Sequence, residues 1–254
     1  MMTTPERHGS IAIRDLSYSY GALAALHGID VSIQPGQVCC VLGPNGAGKS
    51  TFGAAVAGAL PVAADTVFLD DVDVGTEPLY RRARRGVAYI PEGGAVFPSL
   101  TVSENLCLGT KGISRRGKAE TIEKAAAYFE FLGARRNTRA GMLSGGEQQM
   151  LSLARILITQ PPFAIIDELS HGLAPAIVES LFRTLSEFKG RTTFVLIEQY
   201  LERAYGIADI LLVLSRGVSV YRGTASETSI EQLENLYQGH DNADADQSSS
   251  AGTN

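Results

Sequence analysis

The sequence lacks any excess of positive charge, because its 22 Lys and Arg residues are outnumbered by 27 Asp and Glu residues and the net charge is −5. Nucleic-acid-binding proteins usually carry a basic face, so this composition argues against a nucleic-acid partner. The local exception is Arg-Arg-Ala-Arg-Arg at residues 81–85. No aromatic residue interleaves with these arginines, as stacking on bases would require. We therefore predict a solvated loop or helix face here.

Cysteine and long apolar runs are also scarce. Cys39, Cys40 and Cys107 have no metal-site spacing, and the first two lie in an apolar run, so we expect a reduced, cytoplasmic chain. No apolar run approaches the about 20 residues that a membrane-spanning helix needs. Residues 1–7 lack the apolar core of a signal peptide. A membrane role would therefore come from a partner chain.

A glycine-rich loop is the first feature that points to a chemistry. Residues 43–51 match G-x-x-x-x-G-K-[ST] in full, between an apolar run at 38–42 and residues that can form a helix. In that context backbone N–H groups and the helix N-terminus favour phosphate; Lys49 reaches the β- and γ-phosphates of ATP, and Ser50 holds Mg²⁺. The predicted nucleotide-binding residues are Gly43, Pro44, Asn45, Gly46, Ala47, Gly48, Lys49, Ser50 and Thr51.

An apolar strand that ends in two acids supplies the second half of such a site. Residues 163–166 are apolar and are followed by Asp167 and Glu168. We predict that Asp167 binds Mg²⁺ through water, because this small cation keeps several waters. Glu168 then orients and polarises the attacking water. Phosphoryl transfer needs mainly positioning and charge neutralisation, so one lysine, one metal ion and one carboxylate form a minimal set.

A second glycine-rich segment, Leu-Ser-Gly-Gly-Glu-Gln-Gln at 143–149, has the composition of a helix start, since Ser is a good N-cap residue. Together with the loop and the acids, in this order, it resembles the signature of the ATP-binding-cassette (ABC) ATPases. The resemblance implies that Ser144, Gly145, Gly146 and Glu147 bind the γ-phosphate of ATP held by an opposite protomer. One chain carries one loop and one signature, so we expect a head-to-tail dimer, of identical chains or with a sister ATPase subunit.

Three further positions take their roles from the same resemblance. Tyr20 stands where the family places an aromatic residue that stacks on adenine, with Tyr18 as the alternative. Glu92 occupies the Gln-loop position, which touches Mg²⁺ and couples to the membrane partner. Gln199 occupies the position of a switch histidine that contacts the γ-phosphate, and it joins Lys49 and the acids as a predicted catalytic residue.

Several segments narrow the resemblance to one branch, the second ATP-binding subunit of high-affinity branched-chain amino acid importers, with a sister branch for urea or short amides. They are Pro-Glu-Gly at 91–93, the run 96–106, Ser-Gly-Gly-Glu-Gln-Gln-Met-Leu at 144–151, Gly-Leu-Ala-Pro at 172–175 and Glu-Gln at 198–199. The branch implies ATP and Mg²⁺ as cofactors, integral-membrane permease subunits as partners and, indirectly, an extracytoplasmic solute-binding protein. It places the chain at the cytoplasmic face of the membrane. The resemblance does not determine the transported substrate.

Three departures from that branch touch the site. Leu169 replaces the usual proline after the catalytic glutamate, and His171 replaces a usual leucine. His171 is a candidate for the absent switch histidine, but we predict a solvated or interface-packing role, because most lone histidines are not catalytic. Gly-Gly-Ala at 93–95 stands where the branch commonly has Gly-Arg-Arg, near the permease-facing loop.

The alternation of apolar segments fits an α/β P-loop NTPase fold, an ABC cassette with a mostly parallel sheet core, an N-terminal antiparallel β part and a helical signature subdomain. We predict an ATPase domain at residues 10–240 with the helical subdomain at about 95–155, a flexible segment at 1–9 and a disordered tail at 241–254. Residues 118–132 are predicted as one helix, and Thr101 with Glu104 as a capped helix start.

Two other functions stay open from the sequence. One is a soluble cassette that acts on ribosomes or DNA, although such proteins usually carry tandem cassettes or a long coiled-coil insertion. The other is a regulatory cassette that binds ATP but hydrolyses it weakly, which Gln199 and Leu169 suggest. The intact Lys49, Asp167 and Glu168 argue against a complete loss of hydrolysis.

Overall fold

The computed structural model describes residues 9–108, 114–170 and 172–236. The predicted flexible segment lies outside these ranges except for Gly9, which is buried, and the predicted tail lies entirely outside them. The strands of the described chain are β1 (Ile11–Tyr20), β2 (Leu23–Ile33), β3 (Val38–Leu42), β4 (Val67–Leu69), β5 (Val72–Asp73), β6 (Val87–Ile90), β7 (Phe163–Asp167), β8 (Thr193–Ile197), β9 (Ile210–Ser215) and β10 (Val218–Thr224).

Helices connect most of these strands. They are α1 (Lys49–Ala57), α2 (Leu79–Arg84), α3 (Val102–Cys107), α4 (Arg115–Tyr128), α5 (Phe131–Ala134), α6 (Gly145–Thr159), α7 (Pro175–Ser186) and α8 (Leu201–Ile207). The helices α3 to α6 follow one another without an intervening strand, between β6 and β7. In the described part of the chain, none of the helices is long and apolar enough to cross a bilayer.

The strands form two sheets. A six-stranded sheet has the order β10-β9-β3-β8-β7-β6, and its pairs are parallel except for β9 with β10. A four-stranded antiparallel sheet has the order β2-β1-β4-β5. The mostly parallel core and the N-terminal antiparallel part confirm the predicted fold class.

Alternate residues of the central strands pack into two different cores. Along β3, Val38, Cys40 and Leu42 join the core beneath the helices α3 to α8, while Cys39 and Val41 join the core shared with α1 and the antiparallel sheet. Both faces of the sheet are therefore covered by apolar layers, as a parallel sheet requires. The predicted burial of Cys39 and Cys40 is confirmed, and burial raises the pKa of Cys39 to about 12.

The helical region differs from its prediction in one place. The predicted helix at 118–132 ends at Tyr128, because Phe129 adopts an extended conformation, and the short helix α5 follows. Phe129 and Leu132 are both buried, so the apolar spacing runs across the break in the helix. The capped start at Thr101 is confirmed: Thr101 Oγ1 accepts from the Glu104 N–H at 3.2 Å, and Glu104 accepts from the Thr101 N–H at 2.8 Å.

The interpretation of residues 81–85 as a solvated run is wrong at Arg82. This side chain is fully buried, and its guanidinium donates to four backbone carbonyl oxygens at 2.6 to 2.9 Å. The acceptors belong to Ala55, Val56, Gly75 and Glu77. The first two are in the last turn of α1, so a cation caps the C-terminal end of the helix that follows the glycine-rich loop.

We expect Arg82→Met to lower the free energy of unfolding by about 2–4 kcal/mol, because buried carbonyl groups lose their donor. The matched control is Arg81→Met, one residue earlier on the exposed side of α2, with an expected change within about 0.5 kcal/mol. Urea denaturation measures both variants. Equal effects of the two substitutions would contradict the capping role of Arg82.

Candidate functional site

The glycine-rich loop joins β3 to α1 in a conformation that requires glycine. Gly43 has φ 150° and Gly48 has φ 98°, both in the region that L side chains rarely adopt. A Cβ atom on Gly43 would lie 2.2 Å from the Leu214 carbonyl oxygen, and one on Gly48 would lie 2.7 Å from the Ala25 carbonyl oxygen. The loop is thus held against β9 and β2, and α1 begins directly at Lys49.

Lys49 lies inside this loop rather than in solvent. Its side chain is 4% exposed, and Nζ donates to the carbonyl oxygens of Gly43 at 2.8 Å and Pro44 at 3.1 Å. Burial lowers the pKa of Lys49, while the nearby charges of Glu168 and Asp167 act in the opposite direction. The ammonium group therefore contacts the backbone of the glycine-rich loop and lies within electrostatic range of the two predicted acids.

Ser50, in the first turn of α1, lies close to Asp167 at the end of β7. Ser50 Oγ donates to Asp167 Oδ1 at 3.2 Å. Asp167 is buried, and the loss of solvation raises its pKa to about 6 despite the hydrogen bond from Ser50. Two adjacent oxygen atoms, one from a carboxylate, are the ligand type that Mg²⁺ prefers, so these residues fit the predicted metal.

Glu168 follows Asp167 in a strained backbone conformation. Its φ is 48°, which is uncommon for a residue with a Cβ atom. Its N–H donates to the Ile197 carbonyl oxygen at 2.9 Å, which ties the end of β7 to the end of β8. Such strain costs of order 1–3 kcal/mol and persists where the surroundings hold the residue in place.

The remaining predicted positions surround this centre. Tyr20 is half exposed, its hydroxyl lies 3.4 Å from Thr51 Oγ1, and its ring packs edge-on against Tyr18. Glu92 is exposed, and its charge contributes to raising the pKa of Asp167. Gln199 is exposed, two residues after the end of β8. Leu169 is buried, whereas His171 lies outside the described residues.

Sequence reasoning missed one acid of the site, Glu198. It follows β8, is 2% exposed and accepts a hydrogen bond from Ser170 Oγ at 2.5 Å. Burial raises the pKa of Glu198 to about 7, and the charge of Glu168 adds to the effect. The available signal was the same as for Asp167, an acid directly after an apolar strand, because β7 and β8 are parallel neighbours.

The signature segment starts α6 and is held by its own neighbours. Ser144 Oγ accepts from the Glu147 N–H at 3.3 Å, and a Glu147 oxygen accepts from the Ser144 N–H at 2.9 Å, which forms a capping box. Arg135 pairs with the Glu147 carboxylate at 3.1 Å. A Cβ atom on Gly146 would lie 3.2 Å from Leu173, so glycine lets the segment after Glu168 pack closely.

Comparison with known proteins identifies the family. The protein-family model described as "ABC transporter" matches residues 26–171, which is more than half of the chain. The chain therefore belongs to the ABC transporter family. It is an ATPase subunit of a transporter, and the observed α/β fold agrees with that assignment.

Individual relatives carry names that refer to different transported substances. The high-affinity branched-chain amino acid transport ATP-binding protein BraG of Pseudomonas aeruginosa is 35% identical over 83% of this chain and 91% of its own. The probable branched-chain amino acid transport protein LivF of Archaeoglobus fulgidus is 33% identical over 88% and 96%. The lipopolysaccharide export system protein LptB of Escherichia coli is 29% identical over 91% and 98%.

A solved structure supports the same fold. The ADP conformation of MJ1267, described as an ATP-binding cassette of an ABC transporter, superposes with a TM-score of 0.71 at 27% identity. The match covers 91% of this chain and 95% of that one.

The raised pKa of Asp167 predicts a stability cost of the site. Between about pH 4 and pH 6 the folded protein binds this proton more tightly than the unfolded chain, so the free energy of unfolding falls as the pH rises. Asp167→Asn should remove the cost and raise the free energy of unfolding by about 2–3 kcal/mol at pH 8, without nucleotide or divalent metal.

The gain of the Asp167→Asn variant should shrink toward pH 4, and thermal unfolding across this range measures it. Asp65→Asn is the control, because Asp65 is exposed, and its change should stay within about 0.5 kcal/mol. An Asp167→Asn variant that is no more stable than the unmodified protein at pH 8 would contradict the raised pKa of Asp167 and its cost to stability.

Proposed function

We propose that this chain is the ATP-hydrolysing subunit of an importer that carries branched-chain amino acids through separate membrane permease subunits. The observation that carries the proposal is the 35% identity to BraG, which extends over most of both chains. The segments at 91–93, 172–175 and 198–199, which resemble the same branch, agree with it.

The hydrolytic half-site consists of four residues of this chain. Lys49 binds the β- and γ-phosphates of ATP, with the loop amides, and holds them at the N-terminal end of α1. Ser50 would provide an oxygen ligand for Mg²⁺ and Asp167 would hold the ion through water; the bound ion would neutralise phosphate charge. Glu168 orients the attacking water and accepts its proton, since its carboxylate is half-buried beside Asp167.

The second half of each site comes from another chain. ABC ATPase cassettes dimerise and work with permease subunits. In the arrangement we propose, Ser144, Gly145 and Gly146 of one chain face the γ-phosphate bound by Lys49 of its partner. The partner is a sister ATPase subunit, as the branch implies, or a second copy. Tyr20 stacks on adenine, while Glu92 and Gln199 contact the metal and the γ-phosphate.

Attachment to the membrane follows from the same assembly. The permease subunits hold the dimer at the cytoplasmic face, and the exposed segment around Glu92 transmits the state of the nucleotide to them. A solute-binding protein delivers the cargo to the permease from the other side.

Glu168→Gln tests the chemistry. We expect the rate of phosphate release from ATP to fall at least about 100-fold, as loss of a general base does, while a fluorescent ATP analogue still binds. Glu187→Gln, at an exposed carboxylate after α7, serves as the control and should change the rate less than about twofold. Unmodified protein that binds ATP but hydrolyses it no faster than Glu168→Gln would favour the regulatory cassette instead.

The transport role is tested by purifying Glu168→Gln protein from its native cells in ATP and mild detergent, because blocked hydrolysis should preserve the assembly. Two hydrophobic permease subunits and a sister cassette are the expected partners, and the associated binding protein should bind leucine, isoleucine or valine. Binding of urea or an amide would move the chain to the sister branch. Components of an export system would favour the LptB-like alternative, and recovery with ribosomes or DNA would overturn transport.

A further inference from the structure

A buried carboxylate that the proposed reaction does not use lies beside the catalytic glutamate. Glu198 is 2% exposed and accepts a hydrogen bond from the Ser170 hydroxyl at 2.5 Å. Ser170 is itself 3% exposed. A buried carboxylate is costly unless it is hydrogen-bonded, so the contact with the buried Ser170 hydroxyl stabilises Glu198 in this place.

Two hydrogen bonds join the chain around Glu168 to the end of β8. The Glu168 N–H donates to the Ile197 carbonyl oxygen, and two residues later the Ser170 hydroxyl donates to Glu198. The end of β8 therefore holds the chain at Glu168 itself and again just beyond it. Since Glu168 has a φ of 48°, these contacts supply the external hold that a strained backbone needs.

The side chains around Glu198 include the charged groups of the proposed catalytic centre. The charge of Glu168 contributes to raising the pKa of Glu198, and the charge of Glu198 acts to raise the pKa of Lys49. The Cys40 thiol, on the neighbouring strand β3, also lies within range of its charge. Glu198 therefore lies within electrostatic range of Glu168 and Lys49, the two side chains that the proposed hydrolysis uses.

We propose that Glu198, acting through Ser170, is the positioning residue that fixes the orientation of the catalytic Glu168. The proposal rests on the proposed role of Glu168 in hydrolysis. Neither Ser170 nor Glu198 touches ATP or water in this scheme, so their loss should lower the catalytic rate and leave nucleotide binding intact.

Ser170→Ala is the first test, because it removes the hydroxyl donor with little change of volume. We expect kcat for ATP to fall about tenfold, while KM and the affinity for a fluorescent ATP analogue change less than about twofold. Ser170→Thr keeps the hydroxyl and should restore kcat to within about threefold of the unmodified protein. Ser186→Ala is the matched control, since Ser186 also donates one hydrogen bond, to the Phe182 carbonyl oxygen on α7, and it should leave kcat unchanged.

The pair is tested by combination. Ser170 and Glu198 act through one contact, so Ser170→Ala combined with Glu198→Ala should lower kcat no more than about twofold beyond Glu198→Ala alone. In a Glu168→Gln background, Ser170→Ala should leave the residual rate unchanged, because the group it positions is gone.

Three outcomes would overturn the positioning role: an unchanged kcat in Ser170→Ala, multiplicative losses in the double variant, or a fall in kcat matched by lost nucleotide affinity. Undiminished hydrolysis by Glu168→Gln is a separate result, because it removes the proposed function of Glu168 itself. The two failures are therefore distinguishable in the same set of full-length proteins.

Discussion

Three parallel strands that are buried along their whole length are the constraint on which the rest of the structure depends. Every residue of β3, β7 and β8 is buried, with Val41 opposite Ile197 and Ile197 opposite Asp167. Strands buried on both faces cannot carry unpaired charge, so polar groups gather where the strands end. The phosphate-binding loop follows β3, Asp167 closes β7 and Glu198 follows β8. The sheet alone thus brings three distant segments of sequence into one site.

This arrangement opposes stability where it serves chemistry. Burial raises the pKa of Asp167 to about 6 and that of Glu198 to about 7, so each carboxylate, once ionised at higher pH, weakens the folded state. The left-handed backbone of Glu168 adds strain at the same place. Apolar cores on both faces of the sheet offset these costs. Strained and destabilising groups are expected at functional sites, because position and charge matter there more than packing.

Local sequence patterns predict the features whose signal lies within a few residues, such as the loop glycines, the cap at Thr101 and the strand β7. The strands β4 and β5, with three and two residues, are too short to show a period, and β10 has no buried residue. Arg82 is misassigned from sequence because two of its four acceptors lie on α1, more than 20 residues earlier in the chain. Glu198 escapes notice because its partner Ser170 is 28 residues away, and the two meet through the pairing of β7 with β8.

In the signature segment, the negative charge of Glu147 is compensated by groups of the same chain. A glutamate in the first turn of α6 suits the helix dipole, but its charge would oppose a phosphate at the same helix end. The Glu147 carboxylate is bound by the Ser144 N–H and by Arg135, so its charge is compensated inside the chain. The hydroxyl hydrogen of Ser144 and the N–H groups of Gly145 and Gly146, which have no carbonyl one turn earlier in the helix, remain as donors for an anion. Since each chain has one loop and one signature, the proposed pairing of two chains would place each signature opposite the loop of the other chain and form two sites.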